Sequence, residues 1–464
     1  MERTADLIVI GSGAAGLSAA LTAAELGLSV LVLEKEGVFG GSSLMSGGSL
    51  CFVGTDIQAN NGISDSKRQL REDLLRVGGG ASNPEVVDAY VENQTEVYEW
   101  MRSMDIPFAP GLKASPGNSV LRTHLSVPAT FLPILLEKAI ATSRVEIIYG
   151  AHALKLMTDT QTGRVSGVEV WSDALSSACS RYGVILATGG FTRAPDLIGR
   201  FSPNFSHARV SGGAGNTGDG LLMAWKLGAD ILDTAYLQGN FGVHPTNKSN
   251  AVVHPIFKGG IAVNSRGHRY VDESISYKKH SEACLAQPGY ITYQVFDQTV
   301  FEKGEELNPF FSFKSRLGIG DIISADSLEG LAGKLDIPAD NLAFTVQRYN
   351  AGVGAGKDSD FGRKAISVNG EPLTKLDRAP FYAYPSTVVI LGTYCGIRID
   401  EGMRVIDVFE EPISGLYAAG EIVGGFHGKG EIPGAALGKA LVFGRVAARS
   451  ASASAPLPER AIAK

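Results

Sequence analysis

Cysteine is scarce. The 464 residues hold four, at positions 51, 179, 284 and 395, and no two stand in a CxxC spacing. That excludes a disulfide framework, a zinc site, an iron–sulfur cluster and an attached haem, and it suits a reducing cytoplasm, the location we expect. No metal site is expected. No apolar run approaches the roughly 18–20 residues that cross a bilayer, so no transmembrane segment is expected. The opening residues Met1 to Asp6 carry no signal-peptide plan. Lys and Arg number 42 against 48 Asp and Glu, and they form no basic stripe. With a net charge of -6 and a pI near 5.8, nucleic acid is not an expected partner. There is no internal repeat and no heptad array. A hydrophobic fraction of 44% excludes a disordered chain.

Glycine is abundant: 57 residues. A chain with this much Gly and a full apolar complement brings its backbone close to something large, and an extended nucleotide is the usual reason.

Asp6 to Ile10 (DLIVI) reads as a buried strand, Leu17 to Leu26 as a helix, and Ser29 to Leu33 as a second strand ending on Glu34. Between the first strand and the helix lies Gly11-Ser12-Gly13-Ala14-Ala15-Gly16. Gly11 permits the tight turn, Gly13 lets a pyrophosphate reach the backbone, and Gly16 lets helix and strand lie close. The pyrophosphate meets the helix N-terminus at Ala14 and Ala15, and Glu34, beside Lys35, accepts the ribose hydroxyls. NAD and FAD share this fingerprint. Further Gly turns lie far away: Ala187-Thr188-Gly189-Gly190, Thr217-Gly218-Asp219-Gly220 and Ala418-Ala419-Gly420-Glu421. One extended cofactor touched by all of them explains them jointly.

The texture changes near 235. We expect a dinucleotide domain, 1–235 plus 376–464, and an inserted domain, 236–375. Val145–Tyr149 and Arg164–Trp171 read as strands of a meander. Arg122-Thr123-His124 precedes a helix and reads as its cap.

Taken together, GSGAAG, the Gly40-Gly41-Ser42-Ser43 to Ser46-Gly47-Gly48 loop, VILATGGF, GNTGDG, NSRGHRYVDES (264–274) and GLYAAGEIVGGFHG (415–428) resemble the FAD-dependent fumarate reductase and 3-ketosteroid dehydrogenase superfamily. The resemblance runs over about residues 5 to 450. It implies an α/β fold: a Rossmann-type FAD-binding domain with an inserted α+β capping domain, substrate lying between the two. It implies that Glu421 binds the ribitol, that Ser42, Ser43 and Gly48 approach the flavin ring, and that Thr217 and Asp219 contact the cofactor. Gly41, Gly47, Ala153, Ala187, Thr188, Gly189, Gly420, Ala436 and Leu437 complete the candidate FAD contacts. Residues 39 to 48 hold no His, so the FAD is expected to be noncovalent.

The chemistry implied is hydride transfer between flavin and carbon, with a proton moving on the neighbouring carbon. Where fumarate reductases carry a proton-donating Arg, this chain has Tyr277, as ketosteroid dehydrogenases do. Where reductases grip a carboxylate with an Arg after Gly-x-His-Gly, this chain has Glu431, which repels a dicarboxylate. Pro433-Gly434-Ala435 resembles the ketosteroid enzymes' carbonyl-binding Pro-Gly-Ala, with Gly434 N–H at a helix head. The partner Tyr of that clamp falls near Gly430, so Tyr394 or His427 completes it. His244, in Gly242-Val243-His244-Pro245-Thr246, matches a substrate-facing His.

The expected function is oxidation of a cyclic ketone, steroid-like, to the α,β-unsaturated ketone. The alternative is a reductase or dehydrogenase of an unsaturated carboxylic acid. A third reading is a flavoprotein that only relays electrons. The electron acceptor is left open.

Overall fold

The computed structural model describes residues 1–275, 277–366 and 370–457, without the side chains of Tyr277 and Lys278. The chain divides into two compact units: Met1–Ser202, Gly212–Leu237 and Gly392–Lys464 form the first, and Pro203–Ser211 with Gln238–Leu391 the second. The expected boundary at 235 lies near the first crossing, while the expected return at 376 lies short of Gly392. The intervening residues contain the strand Phe381–Thr393, which pairs with Thr292–Asp297 and Ile323–Ala325 of the second unit.

The first unit is built on a mostly parallel sheet. Its strand order is Arg404–Ile406, Pro412–Ala418, Ser177–Leu186, Glu2–Ile10, Val30–Glu34, Val145–Tyr149. The central strands read as unbroken apolar runs because both faces are covered: Leu7, Ile8 and Val9, like Val32, have no exposed surface. Val145–Tyr149 is not part of a meander. It extends the parallel sheet beside Val30–Glu34, and the antiparallel meander runs instead through His152–Thr158, Val165–Trp171 and Ser177–Leu186. The strand order runs outward from Glu2–Ile10 in one direction and then resumes on its other side. Ligands settle at such a switch point, outside the carboxyl ends of the strands.

The first helix, Ala14–Glu25, is buried nearly all round, which its Ala-rich composition allows. The last helix, Ala435–Ala453, lies against it. A Cβ on Gly444 would stand 2.3 Å from the Ala15 carbonyl oxygen, so only glycine permits this approach. Ser18 Oγ donates to the Leu441 carbonyl at 2.6 Å across the same contact.

Arg122-Thr123-His124 is not a helix cap. The following helix, Pro128–Ala141, starts after Val127 with no side-chain cap. Arg122 is fully buried and binds Asp65 through two nitrogens, both at 2.9 Å, and Asp73 at 2.6 Å. His124 hydrogen-bonds Thr55 Oγ1 at 2.8 Å and the Arg122 carbonyl at 2.8 Å. Thr123 and His124 belong to a short strand, Thr123–Leu125, and Arg122, just before it, is drawn inward by two buried carboxylates.

The second unit carries a sheet in the order Leu237–Val243, Phe381–Thr393, Thr292–Asp297, Ile261–Asn264, antiparallel across its last three strands, with Arg209–Val210 pairing parallel to Phe381–Thr393. Its core gathers Phe296, Phe313, Leu331, Leu342, Tyr349 and Tyr384. Buried Arg269 joins Glu273 (2.8 and 2.7 Å) and Asp358 (2.8 and 3.1 Å), and Arg363 reaches Glu273 at 3.3 Å. Removing one member of such a cluster leaves an uncompensated charge, which costs about 3–5 kcal/mol.

Candidate active site

The remote glycine turns meet at one place, the carboxyl edge of the parallel sheet. Gly11 follows the strand ending at Ile10, Glu34 ends the next strand, Ala187 follows Leu186, and Gly420 lies just beyond Ala418. All belong to the first unit.

The first turn is built by contact. Gly11 has φ +102°, and a Cβ there would stand 2.4 Å from the Ala187 carbonyl oxygen. A Cβ on Gly16 would come within 1.8 Å of the Gly11 carbonyl oxygen. Gly13 differs: its φ is -70°, and an added Cβ would meet nothing closer than Ser43 Oγ at 3.4 Å. The protein's own packing does not demand glycine at 13, so the demand comes from something outside the chain. Gly13 also heads the first helix, which has no side-chain cap and no acid in its first turn. That leaves an N-terminus ready for an anion. The Ala14 N–H donates to Ser43 Oγ at 3.1 Å. Thr188 Oγ1, at the second turn, is buried without a hydrogen-bond partner.

Glu34 accepts from Ser12 N–H at 2.9 Å, Ser12 Oγ at 2.5 Å and Glu36 N–H at 2.9 Å. A carboxylate has about four acceptor positions, so capacity for a ribose hydroxyl is left. Lys35 donates to Thr217 Oγ1 at 2.5 Å and to Asp219 Oδ2 at 2.7 Å, and His152 Nε2 lies 3.1 Å from the same Asp219 oxygen. Partial burial raises the Asp219 carboxyl, but the Lys35 and Thr217 hydrogen bonds outweigh it and hold the group below the usual carboxylate range. The side chains of Thr217 and Asp219 are thus engaged with Lys35. Ala153 is buried on the strand His152–Thr158 beside this network.

Asn216 is the hub of the next layer. Its Nδ2 donates to Glu421 Oε2 at 2.9 Å and to Ser42 Oγ at 3.2 Å, and its Oδ1 accepts the Thr192 N–H at 3.0 Å. Ser42 Oγ also accepts the Gly213 N–H at 2.9 Å, in the loop that contains Gly41, Gly47 and Gly48. The second Glu421 oxygen accepts the Thr393 N–H at 3.0 Å. Burial raises the Glu421 carboxyl above its ordinary value, against the pull of these donors.

Past Glu421 the chain brings three sequence-singled residues together. The rings of His427 and Tyr394 lie 4.9 Å apart, and the Tyr394 hydroxyl is 3.4 Å from a Glu431 carboxylate oxygen. His427 and Tyr394 are buried. Gly434, φ +95°, heads the last helix with no side-chain cap, followed by Ala436 and Leu437 in its first turn. Its Cβ would collide with Leu50 and Cys51 backbone at 2.9–3.0 Å, so glycine is required.

The remaining candidates belong to the second unit. His244 Nδ1 accepts the N–H groups of Thr246 and Asn247, each at 3.3 Å, and its ring meets Tyr384 edge-on at 5.8 Å. Burial lowers its pKa. Tyr277 opens the helix Tyr277–Leu285, and its side chain is outside the described set.

Residues 6–437 match the family model described as FAD binding domain. The chain is 30% identical over 466 residues to a fumarate reductase (cytochrome) of Shewanella frigidimarina, covering 97% of this chain and 77% of that protein. It belongs to the fumarate reductase family of FAD-binding flavoproteins. Among solved structures, the open conformation of a flavocytochrome c3 fumarate reductase matches with a TM-score of 0.83 at 29% identity, over 97% of this chain and 78% of that one. The 3-ketosteroid Δ4-(5α)-dehydrogenase of Rhodococcus jostii RHA1, solved with 4-androstene-3,17-dione, matches with a TM-score of 0.78 at 26% identity, over 97% of each.

FAD is therefore the cofactor of this family member, and the protein is an FAD-dependent oxidoreductase. The residues fit the group: a helix head at Gly13 with no cap from that residue and no acid in its first turn, no steric demand for glycine at 13 from the protein's own packing, and the orphaned Thr188 hydroxyl. Among the described residues no helix is long and apolar enough to cross a membrane, and no three His, Cys, Asp or Glu side chains stand together as metal ligands.

Sequence reasoning missed Asn216 and Lys439. Lys439 lies in the last helix, 1% exposed, its Nζ donating to the Val423 carbonyl at 3.1 Å. Burial pulls its pKa down to about 8, with Glu421, Glu431 and Asp233 pulling it back up. One cation in the apolar run ALGKALVF was the available signal.

Proposed function

We propose that this flavoprotein dehydrogenates a neutral ketone, cyclic and steroid-like, to the α,β-unsaturated ketone. FAD, when bound, would supply the hydride acceptor. The protein does the rest. Gly434 N–H, at the head of a helix, and His427 polarise the substrate carbonyl, which acidifies the neighbouring C–H. Tyr277, as phenolate, takes that proton as the hydride leaves the adjacent carbon, so one C=C bond forms while two C–H bonds break.

One observation carries the reading. The cluster around His427 holds a carboxylate, Glu431, in contact with the Tyr394 hydroxyl. A negative charge there disfavours a carboxylate-bearing substrate and tolerates a neutral carbonyl. The similarity to a ketosteroid dehydrogenase supports the same class. A second reading, reduction of an unsaturated carboxylic acid, is favoured by the 30% identity to a fumarate reductase, with Lys429, His427 and His244 as the groups that would hold the acid.

Anaerobic bleaching of the yellow protein by a panel of cyclic ketones and organic acids separates the two. Bleaching by ketones, abolished by Tyr277→Phe with FAD retained, is expected. Unchanged turnover in Tyr277→Phe would remove the proton-transfer role. Noncovalent attachment is tested by acid precipitation, which releases all flavin to the supernatant. A cytoplasmic location is our reading of four separated thiols, all buried and free, and cell fractionation tests it.

A further inference from the structure

The middle of the last helix buries an ammonium that the proposed chemistry does not use. Lys439 faces inward from Ala435–Ala453 among Gly438, Ala440 and Leu441, all buried. Among the described residues it hydrogen-bonds the Val423 carbonyl at 3.1 Å, and it lies over the Phe426 ring at 5.5 Å. Glu421, Glu431 and Asp233 all act on it electrostatically. An ammonium with three donors, out of water, is costly unless surrounding negative charge repays it.

Its contacts continue in one direction. Phe426 meets the His427 ring at 4.8 Å, His427 meets Tyr394 at 4.9 Å, and Tyr394 reaches Glu431 at 3.4 Å. Val423, the acceptor, closes the short turn Gly420–Ile422 that bears Glu421. Asp233 ties the same stretch by accepting the Gly425 N–H at 2.9 Å. Lys439 therefore pins the segment from Glu421 to His427 onto the helix whose N-terminus is Gly434.

We propose that Lys439 is a positioning residue of the flavin site, its buried ammonium clamping the Glu421–His427 segment and compensating the Glu421, Glu431 and Asp233 carboxylates. The proposal rests on the reading that this segment lies along FAD. Loss of the Lys439 proton removes the cation that acts on all three carboxyl groups, and the segment relaxes. Burial pulls the Lys439 pKa down to about 8, so the proposal predicts a change in the flavin environment near that pH.

The test is a pH titration of the holoenzyme's visible flavin spectrum from pH 6 to 10, with FAD affinity measured alongside. Wild type is expected to show a spectral step near pH 8. Lys439→Met should lack the step and bind FAD roughly tenfold more weakly. Lys439→Arg keeps its charge throughout, so it should hold FAD within about threefold of wild type and also lack the step. A Lys439→Met holoenzyme with the same step and affinity overturns the proposal. So does a Lys439→Arg protein that retains the step, the decisive variant if Lys439→Met does not fold. A wild type that is colourless and cannot be loaded with FAD defeats the site reading itself. A yellow wild type whose variants behave identically defeats only the role of Lys439.

Discussion

Asn216 Nδ2 donates to Glu421 Oε2 at 2.9 Å, joining two turns 205 residues apart in the chain. Asn216→Ala removes the donor from a largely buried carboxylate and leaves the Thr192 N–H without its acceptor. A cost of about 1–3 kcal/mol is expected in urea denaturation, with lower flavin content on purification. Asn216→Asp should be worse, since it sets a second carboxylate against Glu421.

The glycine turn offers a sharper separation of fold from ligand. Gly16→Ala drives a methyl into the Gly11 carbonyl and should lower apoprotein stability by more than about 2 kcal/mol. Gly13→Ala meets only ordinary contacts, so apoprotein melting should change by less than about 1 kcal/mol. FAD affinity should nevertheless fall about tenfold or more, because the methyl occupies the approach to the helix head. Equal losses of stability and affinity in both variants would contradict this division.

Buried histidines set the acid limit. Burial pulls His124 down to about 4 and His254 down to about 3, while an unfolded histidine titrates near 6.5. The folded values lie below the unfolded one, so the unfolded chain binds protons first as pH falls. Stability is complete above about pH 6.5 and is lost progressively below it. Denaturation midpoints should drop between pH 7 and pH 5. His254→Leu should flatten that drop, since its Nδ1 has no hydrogen bond to lose. A variant as acid-sensitive as wild type would show that other groups govern the limit.

Glu431 tests substrate charge. Glu431→Gln keeps an acceptor for the Tyr394 hydroxyl and removes the negative charge. Binding of unsaturated carboxylic acids, read from flavin difference spectra, should strengthen on the order of tenfold. Ketone binding should change less than about threefold.

What was legible in the sequence was local. The turn at Gly11, Gly13 and Gly16 could be read because its marks lie within a few positions, a strand before and a helix after, with Gly16 held to glycine by the Gly11 carbonyl; that Gly11 is held to glycine by the remote Ala187 carbonyl was visible only in the structure. Val145–Tyr149 was legible as a strand but not as a parallel neighbour of Val30–Glu34, because apolar alternation does not name a partner. Arg122 looked like part of a helix cap, since nothing nearby in the chain reveals that Asp65 and Asp73 await it. Phe381–Thr393 carried no mark of its partners in the second unit, so the expected return at 376 fell early.

By itself the amino-acid order determined that a dinucleotide is the cofactor and set the expectation of a pyrophosphate at the first helix head, because glycine's missing side chain and the helix head act over a few residues. Only the tertiary structure decided which side chains keep company at the far end. It set Asn216 on Glu421, Tyr394 beside His427 and Glu431, and a lysine under Phe426. Those pairings depend on the order in which strands join the sheet and on the angle at which the last helix crosses the first. Burial and charge compensation act through space, between residues the chain holds hundreds of positions apart.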